Sequence, residues 1–363
     1  MADMIAILIV FSSSAIFSVI AVALILQLSR KKAWYDKVDD RKIHTGEIPR
    51  LGGIGFALVF IVMAALVGFL TGKNDSAFRF LPCLAALVII LIFGVRDDFR
   101  PMAPRYKLLT QFLAALCIVI PGYTFKRVSY FETGLFFNLG MLSYPLTFFW
   151  IVGLINAINF IDGIDGLAGG LSAIIALTFA CIFYFYAETP SAVLFCVGLL
   201  GVILGFMVFN APVPGAKIFM GDGGSQFLGL TLALLPLLDG GNTRAALPLP
   251  YAAALLAIPI FDTIAAVWRR IRDKRRIDSP DKAHIHHKLM NLGLDARGVD
   301  TVLCALQIVL GILVFIAVKL EGWSSVFVLA ATYLVNIVFF VAIHYLNRWV
   351  TSSGARGADS DAA

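Results

Sequence analysis

The sequence predicts an all-α polytopic membrane protein with about 11 transmembrane helices, its N-terminus outside and its C-terminus cytoplasmic. Three observations predict this. Apolar residues make up 60% of the 363 positions and charged residues 14%, against about 45–50% and about 25% in soluble domains. The apolar residues form long continuous runs, as membrane helices of about 20 residues require, rather than the short alternating strands of an outer-membrane barrel. Of the 29 Lys and Arg residues, 23 fall in loops on one side of these runs. Positive charge marks the inner side.

In chain order, the expected spans are residues 4–28, 52–71, 79–95, 108–122, 144–160, 167–187, 191–209, 225–238, 250–268, 301–319 and 323–346. No basic residue precedes the first run, and it exceeds the roughly 7–15 apolar residues of a signal peptide, so it is read as a retained span. The eighth is short. Residues 123–143 mix Tyr, Phe, Thr and Val with Gly134 and Gly140, as a short extracytoplasmic β-hairpin would. Residues 1–350 read as a single integral membrane domain. Residues 351–363 are small and polar and predict a disordered cytoplasmic tail. The five cysteines all lie in apolar runs, without disulfide or metal spacing, and read as buried small hydrophobes. The net charge of +6 is concentrated in loops between spans. That placement argues against a nucleic-acid partner and for membrane orientation and anionic substrates.

Five polar islands interrupt the apolar runs, and the expected orientation puts all of them on the cytoplasmic side, at span ends. An ion pathway would more often place carboxylates at mid-span. The first island, residues 38–55, carries Arg41, Lys42, His44 and Arg50 at headgroup level. It reads either as a positive-inside loop or as cations for a lipid phosphate. In the second, Asp97 and Asp98 directly follow a span. Adjacent carboxylates repel unless a cation or metal offsets them, which suits proton abstraction or metal binding. Lys107 follows in the same loop as a phosphate contact.

The third island, residues 156–170 (NAINFIDGIDGLAGG), spaces Asn156, Asn159, Asp162 and Asp165 by three, near one helix face. Its glycines let the backbone approach a ligand. The fourth, residues 217–225 (KIFMGDGGS), offers Asp222 as a hard oxygen ligand and Phe219 as a ring to stack on a base. Its glycine amides at a helix start favour phosphate. The fifth, residues 268–298, combines six closely spaced cations with His284, His286 and His287. No cysteine or carboxylate pattern completes a zinc site, so a diphosphate or sugar is the better ligand, and the cation run reads as a solvated inner face. Asp222 with the amide oxygen of Asn159 would suit Mg²⁺, with Mn²⁺ as a substitute. Cations around such a site neutralise the charge that develops in phosphoryl transfer.

These motifs in this order resemble the polyprenyl-phosphate N-acetylhexosamine-1-phosphate transferases over nearly the whole chain. Eleven spans, IPIFDT before Arg269-Arg270, and His284-Ile285-His286-His287 rather than three consecutive histidines look more like the undecaprenyl-phosphate N-acetylglucosamine-1-phosphate transferase branch than the muramoyl-pentapeptide branch. The resemblance implies that undecaprenyl phosphate attacks a UDP-sugar, releasing UMP and forming the lipid-diphosphate sugar that starts cell-envelope glycan synthesis. It implies a multi-pass protein of the bacterial cytoplasmic membrane with its site on the cytoplasmic face, and it leaves room for a homodimer. It also implies roles: Asp222 and Asn159 at the metal, Asp165 and Phe219 in a uracil pocket, and Asp97 and Asp98 with Asp162 beside them at the reacting phosphate. His44, Arg50, Lys107 and the three histidines would bind substrate. Another UDP-N-acetylhexosamine or UDP-N-acetylmuramoyl-pentapeptide is the alternative donor. An ion or solute transporter is the rival from another class, and it predicts substrate movement without UMP release.

Overall fold

The computed structural model describes all residues except 1, 36–47, 72–75, 131–133, 135, 188–189, 212–214, 239–246, 277–280, 282 and 361–363. The first half comprises α1 (Ala2–Lys32), α2 (Gly52–Thr71), α3 (Ser76–Phe99), α4 (Pro104–Val119), the strands β1 (Arg127–Ser129) and β2 (Phe136–Asn138), and α5 (Ser143–Ile161). The second half comprises α6 (Leu167–Ile182), α7 (Pro190–Asn210), α8 (Gly221–Leu234), α9 (Leu249–Leu255), α10 (Ala257–Arg272), α11 (Ile285–Asn291), α12 (Ala296–Lys319) and α13 (Gly322–Ser360).

Every expected span coincides with a helix. Among the described residues eight helices are long and apolar enough to cross a membrane, or nine if α9 and α10, bent by 83°, form one broken span. The difference from eleven lies in that bend and in α4 and α8, which have 16 and 14 residues. The expected hairpin forms, with Arg127 opposite Asn138 and Ser129 opposite Phe136. Phe136 and Phe137 are exposed on it. Helix α13 runs to Ser360.

Lipid is as apolar as leucine, so close packing and polar contacts must join these helices. Helix α7 shows the first: a Cβ added at Gly201 would lie 2.6 Å from the Phe11 carbonyl of α1. The Ser18 hydroxyl of α1 donates to the Val202 carbonyl at 2.7 Å. An amide cluster shows the second. Asn156 Nδ2 of α5 donates to Gln111 Oε1 of α4 at 2.7 Å, and Gln111 Nε2 donates to Gln226 Oε1 of α8 at 3.2 Å. Bonds of this kind average about 0.6 kcal/mol each. Asn156 therefore braces α4, α5 and α8. Helix α8 lies at the centre, buried from Gly223 to Leu234.

The bend between α9 and α10 frees backbone carbonyls. Gln307 Nε2 of α12 donates to the Leu255 carbonyl at 2.9 Å, and the Tyr333 hydroxyl of α13 donates to the Pro250 carbonyl at 2.7 Å.

Candidate active site

The N-terminus of α8 is clamped between two helices. A Cβ on Gly53 of α2 would overlap Gly224, and one on Gly94 of α3 would overlap Gly223, so the paired glycines set the spacing. The Phe219 amide donates to the Pro49 carbonyl at 2.7 Å, and the amides of Gly52 and Gly53 donate to the carbonyls of Phe219 and Met220 at 2.9 and 2.8 Å. Both oxygens of Asp98 accept from the first turn of α8: Oδ1 from the Asp222 amide at 2.8 Å, Oδ2 from the Gly223 amide at 3.0 Å. The side chain of Asp98 is 1% exposed. It caps a helix other than its own, satisfying orphan amides and opposing the helix dipole.

Charges converge on this point. Lys107 Nζ lies 2.6 Å from both Asp97 Oδ2 and Asp222 Oδ2. Arg50 Nη2 lies 3.3 Å from Asp98 and 3.5 Å from Asp222. Asp97 also accepts from the Met102 amide. Three carboxylates and two cations leave one negative charge. Asp222, with 22% of its side chain exposed, is the most accessible of the three carboxylates. Burial works against its charge, but the hydrogen bond to Asp97 and the cations Lys107 and Arg50 outweigh that and hold it well below the usual carboxylate range.

Asp162 follows α5 as its C-terminal cap. Among the described residues its carboxylate accepts no hydrogen bond. Burial, then the charges of Asp222, Asp98 and Asp165, push it up to about 7. One turn earlier, Asn159 Nδ2 donates to Ser225 Oγ at 2.8 Å, which leaves Oδ1 as its acceptor. The donor set of Asp222, Asp97 and the Asn159 amide is all hard oxygen, and the ammonium shared by two carboxylates stands where a divalent cation's charge would be satisfied. These residues fit Mg²⁺, although among the described residues no group of three His, Cys, Asp or Glu is arranged to hold a metal.

A second pocket wall forms beside it. Asp165 is exposed, and its Oδ2 accepts from the Ala216 amide at 3.2 Å. Asn210, at the end of α7, accepts from the Gly166 amide at 3.0 Å and donates to the Ile218 carbonyl at 3.1 Å. Asn210 thereby joins the Asp165 loop to the segment carrying half-buried Phe219. Sequence reasoning missed it, although it is the one amide closing a long apolar helix.

The histidine loop packs against the same Asp162 turn. A Cβ on Gly163 would lie 2.5 Å from His286 Nε2, so only glycine lets this ring approach. His286 is 2% exposed, and among the described residues its Nδ1 has no hydrogen-bond partner. Burial, then the neighbouring His287, pushes it down to about 3. His284 lies parallel to His286, with ring centroids 5.9 Å apart. Its Nδ1 is 2.7 Å from Asp262 Oδ2 of α10. His287 sits with its ring 4.3 Å from that of His286.

Arg270, expected on a solvated face, is instead 5% exposed, with its guanidinium 5.6 Å above the Phe160 ring. Among the described residues its Nε and Nη1 have no hydrogen-bond partner. Arg269 pairs with Asp281 at 2.6 Å. His44 lies outside the described residues. Apart from it, the structure draws the expected site residues into one neighbourhood, with Asp98 and Asn156 serving as braces.

Comparison with known proteins agrees. Residues 80–239 match the sequence model described as Glycosyl transferase family 4. The chain is 34% identical over 332 residues, 90% of its length and 89% of the relative's, to the "Probable undecaprenyl-phosphate N-acetylglucosaminyl 1-phosphate transferase" of Bacillus subtilis (strain 168). It is 32% identical over 286 residues, 78% of its length and 76% of the relative's, to the undecaprenyl-phosphate alpha-N-acetylglucosaminyl 1-phosphate transferase of Salmonella typhi. The enzyme of that name in Escherichia coli (strain K12) is 30% identical over 275 residues, 75% and 73% of the two lengths. With this clustered site and similarity along nearly its whole length, the chain belongs to the family of undecaprenyl-phosphate N-acetylglucosaminyl 1-phosphate transferases.

Proposed function

We infer that this protein transfers N-acetylglucosamine 1-phosphate from UDP-N-acetylglucosamine to undecaprenyl phosphate, releasing UMP and leaving a lipid-diphosphate sugar. The observation that carries the reading is the convergence at Asp222, where Lys107 and Arg50 lie between three carboxylates. This is a site built to hold phosphate oxygens beside a hard cation. Asp222 and Asn159, with Asp97 behind them, would hold Mg²⁺, which would supply charge neutralisation at the diphosphate.

The protein's own groups supply the rest. Lys107 and Arg50 rotate from carboxylate to phosphate as substrates enter, and they offset the charge on the leaving UMP. Phe219 and Asp165 take the uracil, with Asn210 fixing their separation. Arg270 and the histidine loop take the diphosphate and sugar, since buried unpaired donors demand an acceptor. Asp162, with both oxygens free, is the group able to receive a proton from the lipid phosphate. Asp97 and Asp98 have their oxygens occupied and buried, which favours direct attack by the lipid phosphate over a covalent aspartyl intermediate.

The chain would cross the bacterial cytoplasmic membrane eleven times, with the N-terminus outside and this site on the cytoplasmic face. The test is to incubate purified protein with undecaprenyl phosphate, Mg²⁺ and a panel of UDP-sugars, following UMP. UMP release that requires the lipid, the divalent cation and UDP-N-acetylglucosamine is expected. Release only with another UDP-N-acetylhexosamine or with UDP-N-acetylmuramoyl-pentapeptide would move the sugar assignment. No release with any donor would overturn the reading.

A further inference from the structure

The Asp262 carboxylate sits in α10, 22 residues before the histidine it meets. Oδ2 lies 2.7 Å from His284 Nδ1, and Oδ1 accepts from the Ile285 amide at 2.8 Å. Asp262 is 2% exposed and His284 6%. A carboxylate accepts only, so the His284 nitrogen facing it carries a proton and the ring's Nε2 is the atom left for other partners. The ring cannot readily turn. Phe160 lies 5.7 Å from it on one contact and His286 is stacked parallel on another.

We propose that Asp262 is a positioning residue for the transfer reaction: it fixes His284 as the Nδ1–H tautomer, so that Nε2 meets the sugar-phosphate half of the donor. This rests on the reading of the histidine loop as donor-binding. The same carboxylate also holds the start of α11, so a purely structural role must be separated from the tautomeric one.

Asp262→Asn separates them. The amide oxygen still accepts from the Ile285 N–H, but the amide nitrogen only donates, which requires an unprotonated Nδ1 and moves the His284 proton to Nε2. Three measurements on the full-length protein decide the matter. In wild-type protein labelled with ¹⁵N-histidine, the His284 resonances, assigned by their loss in His284→Gln, are expected to show a protonated Nδ1. A protonated Nε2 with bare Nδ1 would overturn the proposal outright. Asp262→Asn is expected to melt close to wild type, yet to lose about 10- to 100-fold in kcat/KM for UDP-N-acetylglucosamine, with the KM for undecaprenyl phosphate unmoved. His284→Ala is expected to lose as much, and the double variant little more, because both act through one ring. Wild-type kcat/KM in Asp262→Asn beside an impaired His284→Ala would overturn the positioning role and leave the loop's donor-binding role standing. Wild-type kcat/KM in His284→Ala would overturn both.

Discussion

At the start of α8, each buried charge has a partner: Lys107 is shared by Asp97 and Asp222, Arg50 is split between Asp98 and Asp222, and Asp98 is spent on two backbone amides. Against Gly163 the pattern reverses. Among the described residues, Arg270 keeps two buried nitrogens without partners, and His286 keeps one. The first region is satisfied before substrate arrives and must exchange partners to bind it. The second holds buried nitrogens without partners among the described residues, which a ligand could satisfy. Charge saturation makes the α8 end a rigid frame, while unmet donors make the loop end a receptor.

Breaking the frame has the largest expected effects. Asp222→Ala should lower UMP release by at least about 100- to 1000-fold and weaken its dependence on Mg²⁺, measured by UMP formation over a Mg²⁺ titration. Near-normal turnover would remove Asp222 from the metal site. Asp98→Ala should cost roughly 1–3 kcal/mol of stability for each of the two α8 amides it leaves without an acceptor, while Arg50 keeps Asp222. Denaturant unfolding in detergent checks this, and a loss confined to activity would contradict the capping role.

Changes to the receptor should separate binding from stability. Arg270→Ala removes an unpaired buried charge. It should leave the melting temperature of ligand-free protein unchanged or higher while raising the KM for the UDP-sugar about tenfold or more. Thermal melts with and without donor read both quantities.

His286 gives a pH signature. Its ring stays neutral in the folded protein down to about 3, whereas in the unfolded chain it protonates near 6.5. The folded value is the lower one, so the unfolded state gains protons first, and stability is lost as pH falls below about 6.5. That loss reaches roughly 2 kcal/mol at pH 5. His286→Gln should flatten the decline between pH 7 and 5, and an equal decline in both proteins would contradict the buried neutral ring. The smallest effect is expected from replacing all five cysteines by alanine, which should leave activity largely intact.

The helices and the site's membership were legible because they rest on runs and spacings. The apolar runs marked every described span, and GDGGS and the triplet-spaced Asn and Asp residues marked the carboxylate end. What stayed hidden depends on contacts between distant segments. Nothing local distinguishes Asp98, which caps α8, from Asp97, which meets Lys107. Asn156 and Asn159 share a motif and a helix, yet one faces Gln111 and the other Ser225. Arg270 reads like its cationic neighbours because burial is decided by Phe160, 110 positions away. Asp262 stands alone among apolar residues in the sequence because its partners, His284 and Ile285, lie across a loop.

The bend at Leu255–Leu256 gives the receptor leverage. With a rise of 1.5 Å per residue, Arg270 lies about 20 Å along α10 from the elbow and Asp262 about 9 Å. A swing of about 5° would carry Arg270 nearly 2 Å but Asp262 less than 1 Å. The guanidinium would slide off the Phe160 ring while the Asp262–His284 contact hardly stretched. Any swing at the elbow would therefore displace the Arg270 end of α10 more than twice as far as the Asp262 end.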